Sequence, residues 1–207
     1  MMKSKHFEKE LALIANGILR DQVREYLDSA FVPDYFWEIG ASASGKYHPP
    51  FSQGVGGLVR HTKAVVMFAK ELMRMSSYAY MREDYKDYVI AACIIHDTAK
   101  YGTMSEMDKK AYSQHAPNAA NNFDLFCRSV WASPASELLL GAVRSHMGQW
   151  STDKEDRPFT QIDRCVHMAD YMASRSFIDI PSIVEEWNAV EENDLPFTFE
   201  EVAEDER

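Results

Sequence analysis

The chain has 207 residues, 46% of them apolar and 12% aromatic, which suits one domain that can build a core without staples. With 32 acidic against 22 basic residues the net charge is −10, and this argues against affinity drawn from wrapping a long nucleic-acid backbone. A small nucleotide or an oligonucleotide end is not excluded by that count.

Leu11, Ile14, Ile18, Leu19, Val23, Tyr26 and Leu27 recur at helical spacing, so residues 6–31 read as one amphipathic helix that Pro33 ends. Residues 33–57 carry Pro33, Pro49, Pro50, Gly54, Gly56 and Gly57 and read as a long irregular approach. Long ordered loops of this kind are often functional. The next helix runs from Leu58 to about Met75 with Val65, Phe68, Ala69 and Leu72 inward, and another spans Tyr85 to Thr98 with Val89, Ala92 and Cys93 inward. After a loop at 102–108, residues 112–130 read as helix. Pro134 lies near the start of the one carrying Leu138, Leu139, Ala142 and Val143, which Gly148 stops. The last strong helix covers 160–175 and a shorter one 182–190. Only Phe197-Thr198-Phe199 alternates like a strand, and it is too short to count. The expectation is an all-α bundle of about seven helices. Residues 1–57 lead into it, 58–190 form its core and 191–207 make an acidic tail.

Cys93, Cys127 and Cys165 stand apart with no C-x-x-C pair and read as buried thiols in a reducing compartment. Lys3 and Lys5 precede an apolar stretch broken by Glu8, Lys9 and Glu10, which is not a signal-peptide core. No uncharged apolar run is long enough to span a bilayer, so no membrane partner and a cytoplasmic location are expected.

The histidines carry the chemical signal. His61 shares a face with Val65, Phe68 and Leu72, His96 continues the face of Val89, Ala92 and Cys93, and His146 follows Leu139, Ala142 and Val143. Asp97 follows His96 directly, and Asp170 lies on the apolar helix of Ile162, Val166, Ala169 and Ala173. Burying a carboxylate is costly unless it is paired or bound to a metal. Imidazoles and carboxylates converging from apolar helix faces suggest a metal site inside a bundle. Such mixed N and O ligation suits a divalent ion such as Mn, Fe, Ni, Mg or Zn at a catalytic rather than a structural site. Each histidine alone is more often a hydrogen-bonded core residue. His115 reads equally well as a helix-start residue, His167 as a group that orients Asp170 or faces solvent, and Lys100 as a surface lysine. His6 and His48 have no apolar-face argument. Arg60 and Lys63 flank His61 without any spacing that puts them in a pocket.

Order makes the pattern specific. His61, His96-Asp97 and Asp170, each on a helix, resemble the H…HD…D signature of the HD superfamily. The run Ile95-His96-Asp97-Thr98-Ala99-Lys100-Tyr101-Gly102 is similar to its HD-x-G-K segment, with Ala99 where Gly is commoner. Gly56-Gly57-Leu58-Val59-Arg60-His61-Thr62 resembles the GGL-x-x-HT opening of the HD domain in YhaM-type 3′–5′ exoribonucleases, and Ala43 to His48 resembles the segment before it. His167-Met168-Ala169-Asp170 resembles the H-x-A-D that carries the last ligand. The similarity covers about residues 12–178.

The resemblance implies an all-helical phosphohydrolase with divalent metal, in which His61, His96, Asp97 and Asp170 hold one ion. His115 and His146 occupy the places of two further histidines found in two-metal branches, so they join a bridging Asp97 at a second ion. A metal-bound hydroxide would attack phosphorus. Asp97 is then catalytic, and Lys100, matching the lysine of HD-x-G-K, contacts a phosphate oxygen or assists the leaving group. The OB domain of YhaM-type enzymes has no counterpart in the 57 residues ahead of the HD stretch, and no GYP segment follows the HD motif. The expected partner is therefore a small phosphorylated substrate, a nucleotide, rather than long nucleic acid. Two alternatives stand beside this: a 3′–5′ exonuclease on short single strands, with Tyr47, Phe51 or Trp150 stacking bases, and a non-catalytic nucleotide-binding HD module.

Overall fold

A computed structural model describes residues 2–42, 48–104 and 106–192. The called Phe197–Phe199 alternation, most of the acidic tail and Tyr47 lie outside these residues. Among the described residues the protein is all-helical, with a single isolated bridge between Lys100 and Gly102. The α-helices are α1 (Glu8–Leu11), α2 (Gly17–Asp28), α3 (Tyr35–Glu38), α4 (Gly57–Leu72), α5 (Glu83–Ile95), α6 (His115–Val130), α7 (Glu137–Ser145), α8 (Gln161–Ala173) and α9 (Pro181–Glu192). The seven longer ones correspond to the seven expected from periodicity, and α1 and α3 are single turns.

The helix expected over 6–31 is broken. A 3₁₀ turn at Lys3–Phe7 and α1 are followed by non-helical backbone before α2. The physical reason lies on α5, where the Asp87 carboxylate accepts from the backbone N–H of Ala15 (2.9 Å) and of Asn16 (2.8 Å). Asn16 then caps α2 by accepting from Leu19 N–H. Periodicity persists through this corner because Leu11, Ile14 and Leu19 are all buried on one core, and a periodic pattern does not register a turn that keeps the same side inward.

The centre of the bundle is α5, apolar around most of its circumference from Val89 to Ile95. Helices α4, α7 and α8 surround it, α8 packs on both α4 and α7, α6 packs on α7, and α2 covers a further side of α5. All three cysteines are free and buried, as expected of core thiols. Helix α8 begins where Thr160 and Asp163 form a reciprocal capping box. Among the described residues no helix is long and apolar enough to cross a membrane.

The irregular approach is pinned to the start of α4. Arg60 donates to three backbone carbonyls, those of Phe51, Gln53 (2.7 Å) and Val55 (2.8 Å). Gly56 has φ +68° and lies so close to the Trp187 ring that a Cβ would come within 2.2 Å of it. Lys63 is equally structural: buried, it donates to the Glu10 carboxylate and the His6 carbonyl (both 2.8 Å). Neither flanking cation enters the site, and both serve to fix the helix that carries His61.

Candidate metal centre

Helix ends aim most of the site's side chains. His96 is the C-cap of α5 and its Nδ1 lies 2.7 Å from the Cys93 carbonyl; His146 is the C-cap of α7 and its Nδ1 lies 2.7 Å from the Val143 carbonyl. His115 follows the 3₁₀ turn Lys109–Gln114, and its Nδ1 lies 2.6 Å from the Tyr112 carbonyl. Each imidazole thus reaches back three residues to a carbonyl in the last turn of a helical segment. A carbonyl can only accept, so in all three rings Nδ1 carries a proton, and a ring in its neutral form turns an Nε2 lone pair inward. The helix expected over 112–130 begins within the 3₁₀ turn Lys109–Gln114 and becomes α-helical at His115.

His61 comes from the first half of α4, Asp97 from the turn after α5 and Asp170 from α8. All six donors are buried except Asp170, which is partly so. His61 Nε2 lies 3.0 Å from Asp170 Oδ1 and 3.9 Å from Asp97 Oδ2, while His96 Nε2 lies 3.6 Å from Asp97 Oδ2 and 3.9 Å from Asp170 Oδ1. The other carboxylate oxygen, Asp97 Oδ1, lies 3.2 Å from His115 Nε2 and 3.8 Å from His146 Nε2. The structure therefore brings all six residues together, with Asp97 between two groups. Two triplets, His61/His96/Asp170 and His96/Asp97/His146, have ligand atoms all within 4.8 Å of one another.

Protein groups alone do not satisfy this cluster. His96 Nε2 and Asp97 Oδ1 are buried with no hydrogen-bond partner among the described residues, as is His61 Nδ1. His115 Nε2 and His146 Nε2 face each other at 3.0 Å. With both protons on Nδ1, that contact sets lone pair against lone pair unless a cation lies beside them. Charge points the same way, since one ammonium, Lys100, stands among two carboxylates and neutral imidazoles. Unpaired buried charge and unmet acceptors are costly, and a divalent cation would relieve both. The donor set fits a divalent metal ion of the kind that takes mixed N and O ligands.

Protonation agrees. Burial, reinforced by the neighbouring His96 and His115, pushes the His146 imidazole down to about 3, and burial also lowers His96. Burial raises the Asp97 carboxyl, but Lys100, His96 and His115 outweigh it and hold it well below the usual carboxylate range. Asp170 is likewise raised by burial and pulled lower overall by His61 and His96. Neutral imidazoles and ionised carboxylates are the ligating forms.

Asp97, His115, His146 and Asp170 of the cluster form the floor of a cleft of about 620 Å³. Lys100, no surface lysine, is buried with its Nζ donating to Asp97 Oδ2 at 2.6 Å, and it also lines the cleft. His167 does not orient Asp170; its Nδ1 meets the His146 carbonyl at 2.7 Å, and its ring packs against Gly148. Of the aromatics considered for stacking, Phe51 is buried in the core and Trp150 lines the cleft. His48, which periodicity could not place, stands at the cleft with its ring 5.4 Å from that of His61. Arg144, Tyr112, Tyr171 and Arg175 line it too, and periodicity gave no sign of them because they lie on the less buried sides of their elements.

A helical bundle with histidines and aspartates converging in this order defines the class of α-helical proteins with a candidate metal centre. The HD domain family model matches residues 58–175, more than half of the chain, and the protein belongs to that family, whose members are usually metal-dependent hydrolases. No curated protein and no solved structure matches the chain.

Proposed function

We propose that the protein is a metal-dependent phosphohydrolase that cleaves a phosphoester of a nucleotide-type substrate with two divalent ions. His61, His96, Asp97 and Asp170 would hold one ion, and Asp97, His115 and His146 the other. The observation that carries this reading is the 3.0 Å approach of the Nε2 atoms of His115 and His146, whose Nδ1 atoms each face a backbone carbonyl, beside an Asp97 oxygen without a hydrogen-bond partner. Family membership supports the hydrolase chemistry.

A bound divalent ion lowers the pKa of water towards neutrality and offsets charge on phosphoryl oxygens. The chain's own residues prepare for this. Lys100 keeps Asp97 ionised and directed at the cluster, and its ammonium, on the cleft lining, is available to a phosphate oxygen. Burial keeps His96 and His146 neutral at physiological pH, so that their lone pairs stay available. A net charge of −10 disfavours processive travel along nucleic acid, despite the motif likeness to YhaM-type exoribonucleases. Three buried free thiols accord with a reducing cytoplasm.

The test is elemental analysis of the purified protein joined to a hydrolysis screen over nucleotides and short oligonucleotides with added Mn²⁺. About two ions per chain and phosphate release from a mononucleotide are expected. Asp97→Ala and the shape-preserving Asp170→Asn should each lose metal and at least about a hundredfold of turnover, with helical circular dichroism retained. Full activity in Asp97→Ala would refute the assignment.

A further inference from the structure

The cleft is larger than a phosphate needs. Beyond the His/Asp floor its wall is aromatic: the Trp150 ring stacks on Tyr171 with centroids 5.9 Å apart and planes 9° from parallel, and the Arg175 guanidinium lies 4.1 Å from the Tyr171 centroid. Despite that stack Trp150 remains 53% exposed, whereas Trp37 and Trp187 are buried. A large ring left open inside a cleft is ready to accept a planar ligand.

Its position is built. Trp150 ends the 3₁₀ turn Gly148–Trp150, which begins two residues after His146. Gly148 has φ +59°, and a Cβ there would meet the His167 ring at 2.1 Å. His167, pressed into that gap, hydrogen-bonds the His146 carbonyl. One short segment therefore carries both a side chain of the charged floor and the aromatic wall, at a fixed spacing. Beyond the turn, the Thr152 hydroxyl bonds the Ser113 carbonyl at 3.2 Å, which ties the loop to the segment leading into His115. The same cleft is thus lined by His/Asp side chains of the cluster and by the aromatic pair.

Resting on the phosphohydrolase reading above, we infer that Trp150 is the platform on which the aromatic base of a nucleoside monophosphate stacks. Selectivity then favours base-bearing phosphates over simple sugar phosphates. Stacking tolerates any base, because every base has a π face.

The test uses binding rather than turnover, so that it is separable from the hydrolase reading. Calorimetry on the Mn²⁺-loaded full chain would compare non-hydrolysable phosphonate analogues of the four common nucleoside 5′-monophosphates with that of ribose 5-phosphate. At least one nucleotide analogue should bind about ten- to a hundredfold more tightly than the ribose analogue. Trp150→Ala should bring that ratio close to one, and Trp150→Phe, which keeps an aromatic face, should restore most of it. Selective binding through Trp150 without hydrolysis of the natural nucleotides would refute the enzyme but uphold the platform. The inference is overturned if wild type shows no nucleotide preference, if the ratio survives in Trp150→Ala, or if Trp150→Ala weakens both ligands in parallel.

Discussion

His115 and His146 illustrate how a hydrogen bond on one side of a ring determines what the other side can do. Each donates Nδ1–H to a carbonyl three residues earlier, and so each presents a bare Nε2 to the other at 3.0 Å. With both rings in the neutral form and no cation beside them, that contact is repulsive. Replacing one ring by an amide that can donate across the gap removes the repulsion along with a ligand. His146→Gln should therefore leave the melting temperature of chelator-treated protein unchanged or raised by a few degrees, on the order of 1 kcal/mol. It should also reduce bound metal from about two ions to one and abolish turnover. Calorimetric melting with and without EDTA, alongside metal analysis, distinguishes the cases. A variant that melts well below wild type in EDTA and keeps its full metal content would contradict this account. The sequence made His61, His96 and His146 visible because each continues an apolar face, but His115 and Lys100 were singled out only by family likeness. No periodicity marks a residue placed by a 3₁₀ turn, or a lysine buried against a carboxylate three residues earlier.

Among the elements, the corner between α1 and α2 is what hydrophobic spacing could not foretell, although both flanking helices were legible. Its cause is non-local: Asp87, 71 and 72 residues away along the chain, satisfies two backbone donors where the helix stops. Removing that acceptor leaves Ala15 and Asn16 N–H without their partner. Asp87→Ala should thus cost about 1–3 kcal/mol in urea unfolding, and Asp87→Asn, which keeps one acceptor oxygen, about half as much. None of the six donors lies on α1 or α2, and Asp87 stands in the first half of α5, well before His96 at its end, so metal content per folded chain should not change. An Asp87→Ala protein as stable as wild type would show that water replaces the carboxylate fully. The opposite case is α8, expected from residue 160 and beginning at Gln161, where the two halves of its cap, Thr160 and Asp163, are near neighbours in sequence. Local signals survive in one dimension, and tertiary caps do not.

At the scale of the whole molecule, the six donors come from five stretches of chain that meet only when α4, α5, α7 and α8 close around one core and α6 packs on α7. Their residue types and order announced a shared site, whereas the cleft above it is assembled from loops and helix edges that carry no periodic signal. Convergence also couples the site to folding, because the unfolded chain has no such site. Acid should reveal the coupling even in metal-stripped protein. Burial holds His146 at about 3 and His48 at about 4, and it lowers His96, all against 6.5 in the unfolded chain. Between those values the unfolded state binds more protons, so stability is full above about pH 6.5 and falls as pH drops towards 4. Asp97 and Asp170, held below 3.8, extend the loss in the same direction at still lower pH. Urea midpoints in EDTA should therefore decline steadily from pH 7 to pH 4. With Mn²⁺ present the decline should be steeper, because protons also compete with the ion for the same imidazoles. A midpoint that stays flat over this range in EDTA would mean that these imidazoles take up protons in the folded protein as readily as in the unfolded chain. Burial would then not hold them in the neutral, ligating form, and the protonation argument for the metal reading of the cluster would fall.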